Sequence, residues 1–223
     1  MLIIPSQLLL PLTGMYWVKT PFWIKKIFNS YTWDIPGEEK ILYLTFDDGP
    51  HSQATPFVLN LLQEYNAKAS FFCLGKNIVS HPHIYSRIME EGHAVGNHTY
   101  NHLNGWKVKH NIYLKDVEKA AGVINTMLFR PPYGRINRKA GRVLLNRAYQ
   151  IVMWDVLSGD FDRKLSPEKC AANVTRHAAP GSIVVFHDSQ KAYKNLSYAL
   201  PVVLDFFSKK GYVFKAISTQ SPS

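Results

Sequence analysis

The chain has 223 residues, of which 46% are hydrophobic and 13% aromatic. That is enough for one domain with a sizeable core and too apolar for a disordered segment. The formal net charge is +10, from 26 Lys and Arg against 16 Asp and Glu, and it fits either an acidic partner or simple solubility. The basic residues are spread along the chain without a run of five, so no nucleic-acid partner is expected. Cys73 and Cys170 are the only cysteines and match no metal-binding cysteine pattern.

Residues 1–38 read as an irregular lead-in, with a short basic and apolar helix over Phe22–Phe28. The first 18 residues are apolar and uncharged, but they lack a basic start and contain Pro5 and Pro11. These features speak against a secretory signal or a spanning helix. The expectation is therefore a cytoplasmic chain by default, with membrane association disfavoured and an extracytoplasmic or membrane-associated place as the alternative. Residues 1–14 are expected to be dispensable, and Met15 is an alternative start.

From residue 39 strands and helices alternate. Ile41–Phe46 reads as a strand, Thr55–Tyr65 as a helix with Val58, Leu59 and Leu62 on one side, and Lys68–Leu74 as a strand. His81–Glu90 reads as a helix stopped by Gly92, and His93–Gly96 as a short strand. The spacing of Val117, Ala120, Ala121 and Ile124 predicts a helix over Leu114–Met127, followed by a helix over Arg138–Ala148 and a strand over Gln150–Trp154. Ser166 caps a helix with Pro167 in its first turn, running to about Ala178. Ser182–Phe186 is an apolar strand, Leu196–Lys210 a helix that includes Pro201, and Tyr212–Ile217 a last strand. Alternation of this kind implies parallel strands joined by crossovers, and six or seven units suit a barrel better than an open sheet. In such barrels functional groups gather where strands end.

The chemistry-bearing residues obey that rule. Thr45-Phe46-Asp47-Asp48-Gly49-Pro50 puts two adjacent carboxylates at a strand end, where they repel unless a cation or basic group compensates. The bland alternative is a polar turn that caps the next helix. In His98-Thr99-Tyr100-Asn101-His102 the histidines are four apart, so a helical turn would aim both imidazoles at one metal. One carboxylate would complete a set suited to a catalytic zinc. Phe129-Arg130-Pro131-Pro132-Tyr133-Gly134 is stiffened by its prolines, which hold Arg130 and the Tyr133 amide. Trp154 to Phe161 mixes aromatics with Asp155 and Asp160, and His187-Asp188 ends an apolar strand. Trp106 and Tyr100 are further candidate stacking faces, with ordinary loop packing as the alternative.

The set and order of these segments resembles the NodB-type polysaccharide deacetylases, carbohydrate esterase family 4, over about residues 39–216. The resemblance implies a distorted (β/α) barrel of about seven strands and one divalent metal, zinc first, with cobalt or nickel as alternatives. It implies Asp48, His98 and His102 as metal ligands, Asp47 as general base oriented by Arg130, and His187 as general acid with Asp160 as its partner. Asp155 and Asp188 are competing partners for His187. The Tyr133 amide would hold the oxyanion, and Trp154, Phe161 and Val185 would wall the acetyl methyl. Leu157 stands where many members have Asp and Phe161 where many have Trp, and the stretch from His102 to Arg130 is short. The implied activity is N-deacetylation of a glycan containing N-acetylglucosamine, with O-deacetylation as a variant. An amidohydrolase on small amides or imides is an alternative. A silent glycan-binding module is another, which the intact Asp47, Asp48, His98, His102 and His187 argue against.

Overall fold

A computed structural model describes residues 16–218. The expectations about residues 1–14 and Met15 lie outside the described residues. The lead-in carries α1 (Phe22–Ile27), after which strands and helices alternate. They are β1 (Ile41–Asp47), α2 (Ala54–Glu64), β2 (Ser70–Cys73), α3 (Gly75–Ser80), α4 (Pro82–Glu90), β3 (Ala94–Asn97) and α5 (His110–Ala121). Then come β4 (Leu128–Phe129), α6 (Arg138–Asn146), β5 (Gln150–Ile151), β6 (Val156–Leu157), α7 (Pro167–His177), β7 (Ile183–His187), α8 (Tyr193–Ser208) and β8 (Val213–Phe214). The sheet order is β5-β4-β3-β2-β1-β7-β6, with β8 on the start of β1, and every pairing is parallel. This is the distorted (β/α) barrel that the alternation predicts.

Side chains alternate across each strand. Leu42, Leu44 and Phe46 of β1, Phe71 of β2, and Val184 and Phe186 of β7 face outward, packed with Val58, Leu59 and Leu62 of α2 and Leu196, Leu200 and Val203 of α8. The opposite parity fills the barrel with Phe72, Leu128, Val152 and Ile183. The same inward rows continue to Asp47, His98, Arg130 and His187 at the carboxyl ends. The sequence of each strand therefore fills the barrel below and furnishes the site above.

Several boundaries differ from the sequence reading. The helix expected over Leu114–Met127 starts at His110 and stops at Ala121. Ile124 keeps the helical spacing because it is core-packed from the following turn, where its amide still donates to Ala120. The strand expected over Gln150–Trp154 stops at Ile151 as β5, and β6 at Val156–Leu157 is a separate strand outside that span, because the chain crosses between them from one sheet margin to the other. Among the described residues no ladder joins β5 to β6. The lead-in lines this seam: Thr32 bridges Val152 and Lys19 bridges Val156. α3 and β4 are too short for periodicity to reveal. Pro201 sits inside α8 without ending it. Among the described residues no helix is long and apolar enough to cross a membrane.

Candidate active site

The register of the central strands sets the frame. Asp47 lies opposite His187 in β7 and Phe72 in β2, while Asn97 lies opposite Cys73 and Phe129. His98 and Arg130, one residue past their strands, thus arrive at the same rim.

Asp48, His98 and His102 offer ligand atoms that lie within 4.8 Å of one another. His102 Nε2 is 3.0 Å and His98 Nε2 3.7 Å from Asp48 Oδ1. Oδ1 is buried and receives no hydrogen bond, so the groups converge without hydrogens aimed between them. His98 Nδ1 lies 2.8 Å from the Arg130 carbonyl oxygen. A carbonyl only accepts, so Nδ1 carries the hydrogen and the Nε2 lone pair faces the cluster. His102 Nδ1 is likewise 3.1 Å from the Tyr133 hydroxyl. Burial lowers the His98 pKa to about 4, which keeps the imidazole neutral. Burial pushes the Asp48 carboxyl up, but His102, His187 and His98 together hold it well below the usual carboxylate range. One carboxylate and two histidines with an oxygen left without a donor fit a divalent cation with open positions.

A helical turn does not bring the two imidazoles together. Thr99 and His102 have φ of 68° and 63°, Asp48 has φ of 80°, and these left-handed corners aim the ligands. The loop is anchored by residues that the motif reading passes over. Asp116 of α5 accepts from the amides of Tyr100 and Asn101 at 3.0 and 2.9 Å, and from Asn101 Nδ2 at 2.5 Å. Asn97 Oδ1 accepts from Thr99 N at 2.8 Å, and Asn77 of α3 donates to the Asp48 carbonyl at 2.6 Å. A side chain that works through backbone amides has no spacing signature, although an Asp inside a helix's buried face is a visible oddity.

Asp47 Oδ1 accepts from Arg130 Nη1 at 2.7 Å. Arg130 is fully buried and donates to Thr45 Oγ1 at 2.6 Å, Val152 O at 3.1 Å and Met153 O at 2.9 Å. Its guanidinium also sits 4.1 Å above the Phe72 ring. A charge so enclosed and bonded is held in one place.

His187 Nδ1 is 2.8 Å from Asp160 Oδ1, and Asp160 Oδ2 accepts from the His187 amide at 2.7 Å. Burial opposes charge on His187, but Asp160 outweighs it and the pKa rises to about 9. Phe161 meets the His187 ring edge-on at 5.1 Å, and Tyr16 of the lead-in packs on the other side of Phe161. The competing carboxylates are engaged elsewhere. Asp155 accepts from Lys19, Lys25 and Ser182, each at 2.5 Å. Asp188 holds the Gly49 amide and the Thr55 hydroxyl, and burial, with the Asp48 charge adding, pushes its pKa to about 8.

Tyr133 is 58% exposed in a left-handed corner at φ 61°, with the following Gly134 close against Trp154. Trp154 is half-buried in the seam, while Val185 is buried one layer below His187, beside Thr45. Tyr100 packs on Gly75 beneath Lys119, and Trp106 is fixed by its Nε1 donation to the Ile136 carbonyl at 3.3 Å.

The polysaccharide deacetylase family profile matches residues 34–152. The chain is 36% identical over 195 residues to a peptidoglycan-N-acetylglucosamine deacetylase of Bacillus cereus, covering 84% of this chain and 91% of that one. It is 34% identical over 161 residues to a chitooligosaccharide deacetylase of Azorhizobium caulinodans, covering 69% and 76%. It superposes on a crystal structure of a peptidoglycan N-acetylglucosamine deacetylase bound to 4-naphthalen-1-yl-N-oxidanyl-benzamide with a TM-score of 0.82 at 31% identity, covering 91% and 100%. The fold, the matched profile and these relatives agree: the chain belongs to the polysaccharide deacetylase family.

Proposed function

We propose that this protein is a divalent-metal-dependent hydrolase that removes N-acetyl groups from a glycan containing N-acetylglucosamine. The carrying observation is a pair of proton-handling groups with opposite partners beside the ligand cluster. Asp47 faces the Arg130 cation, and His187 faces the Asp160 carboxylate. A carboxylate held by a cation beside an imidazole held by a carboxylate suits a base and an acid. Peptidoglycan and chito-oligosaccharide deacetylases among its relatives supply the substrate class.

In this reading Asp48, His98 and His102 hold zinc, with cobalt or nickel as working substitutes. The ion supplies Lewis acidity towards the acetyl carbonyl and towards water. Asp47 takes a proton as water adds to the carbonyl carbon, and Arg130 keeps the carboxylate in line. The Tyr133 amide donates to the developing oxyanion. His187 gives its proton to the nitrogen as the C–N bond breaks, so acetate and a free amine leave. Trp154 and Phe161 form the apolar wall around the methyl group, and Asp160 keeps His187 charged until transfer.

The test is acetate release from chito-oligosaccharides and from isolated peptidoglycan, with and without added zinc. Release that needs the metal and is lost in Asp47→Asn supports the reading. Turnover of small amides alone would replace it with the amidohydrolase alternative.

A further inference from the structure

α1 carries its apolar side chains on the wrong side for a helix that only covers a core. Ile24 is its one buried residue. Phe22, Trp23 and Ile27 are 75%, 43% and 44% exposed, and they share the outer face with exposed Lys26. Phe22 and Lys26, and Trp23 and Ile27, are four positions apart and so form two neighbouring pairs on that exposed side. Lys25 meanwhile turns inward and bonds Asp155 at 2.5 Å and Asp34. Surface helices ordinarily do the reverse and present their charges to water. Trp17 extends the face, meeting Trp23 edge-on at 5.8 Å.

The chemistry of the segment names the partner. Residues 1–33 contain no Asp or Glu, include Lys19, Lys25 and Lys26, and hold three of the chain's five tryptophans. The first 18 of them carry no charged side chain and directly precede Lys19 in sequence. Asp34 and Asp155 are taken up by Lys25 behind the helix, so on the face itself a second protein with an apolar patch would meet Lys26 and no acid to fix its orientation. A bilayer interface needs none: aromatic rings rest at headgroup depth, aliphatic groups go deeper, and lysine stems reach back to phosphates. The +10 net charge adds long-range attraction to an anionic leaflet. We propose that α1 with Trp17 docks this protein on an anionic phospholipid surface. The sequence reading disfavours membrane association, and the orientation of α1 points the other way.

The test is co-sedimentation of the full chain with phosphatidylglycerol-containing vesicles and with pure phosphatidylcholine vesicles. The F22S/I27S double variant leaves residues 1–15 intact and touches no group of the active site. Wild type is expected to bind the anionic vesicles, more weakly as salt rises, and the double variant about 10²-fold more weakly, from two lost apolar side chains. Lys26→Glu is expected to weaken anionic binding alone. Acetate release from a soluble oligosaccharide should be unchanged in all three. Absence of wild-type binding, or equal binding by the double variant, overturns the proposal. A wild-type dimer in light scattering that the double variant turns into a monomer also overturns it, since a second copy would then own the face.

Discussion

At the scale of single residues, the site is a set of charges each held by one opposite partner, and removing a partner has a defined sign. Asp160 raises the His187 pKa to about 9 against the effect of burial. The acid form is needed for proton donation, so activity falls as pH rises through that value. Asp160→Asn should move the alkaline limb of kcat/KM to lower pH and reduce the maximal rate. Asp188→Asn should leave the limb in place, because Asp188 is turned to Gly49 and Thr55. A pH–rate profile of both variants checks this. Asp47→Asn should cut turnover by about 10²-fold or more while metal content stays at one ion per chain, checked by elemental analysis. The gathering of Asp47, Asp48, His98, His102, Arg130 and His187 at one rim was legible in the sequence because each follows or ends an apolar strand. Asp116, Asn77 and Asn97 were not legible. They act on backbone groups of other loops, and the left-handed corners at Thr99 and His102 leave no mark in composition.

At the scale of elements, long periodic segments read well and short ones did not. α2, α4 and α7 fall close to their expected spans, because each turns an apolar stripe to the sheet and two of them begin at Pro. β4, β5 and β6 have two residues each, and only their neighbours' ladders define them. The lead-in reads as irregular, yet its described part is fastened to the seam. The Thr32 amide donates to Ile151 O, Met153 N donates to Thr32 O, and Thr20 N donates to Asp155 O. Asp155 is the node, with a side chain only 3% exposed between Lys19 and Lys25. Removing one partner from such a buried cluster leaves charges uncompensated. Asp155→Ala should therefore lower unfolding stability by about 2–4 kcal/mol in urea titration, while metal binding is retained.

At the scale of the whole molecule, the barrel carries backbone strain at its rim, where a bound cation would add stability. Asp48, Thr99, His102 and Tyr133 all occupy left-handed backbone, each at a cost of about 1–3 kcal/mol. A cation that binds only the folded chain recovers part of that. At about a hundred times its Kd it should add about 2.7 kcal/mol and raise Tm by about 5–10 °C. Scanning calorimetry with zinc and with a chelator checks the shift, and His98→Ala should abolish it.

The seam has a consequence in time as well as in space. The lead-in leaves the ribosome before the barrel, and Lys19 and Lys25 find Asp155 only 136 and 130 positions later. At ordinary rates of synthesis that interval is on the order of ten seconds. Throughout it, Trp17, Phe22, Trp23 and Ile27 are present without a barrel behind them. The nascent chain thus offers this aromatic segment to the surroundings well before the residues that anchor it exist.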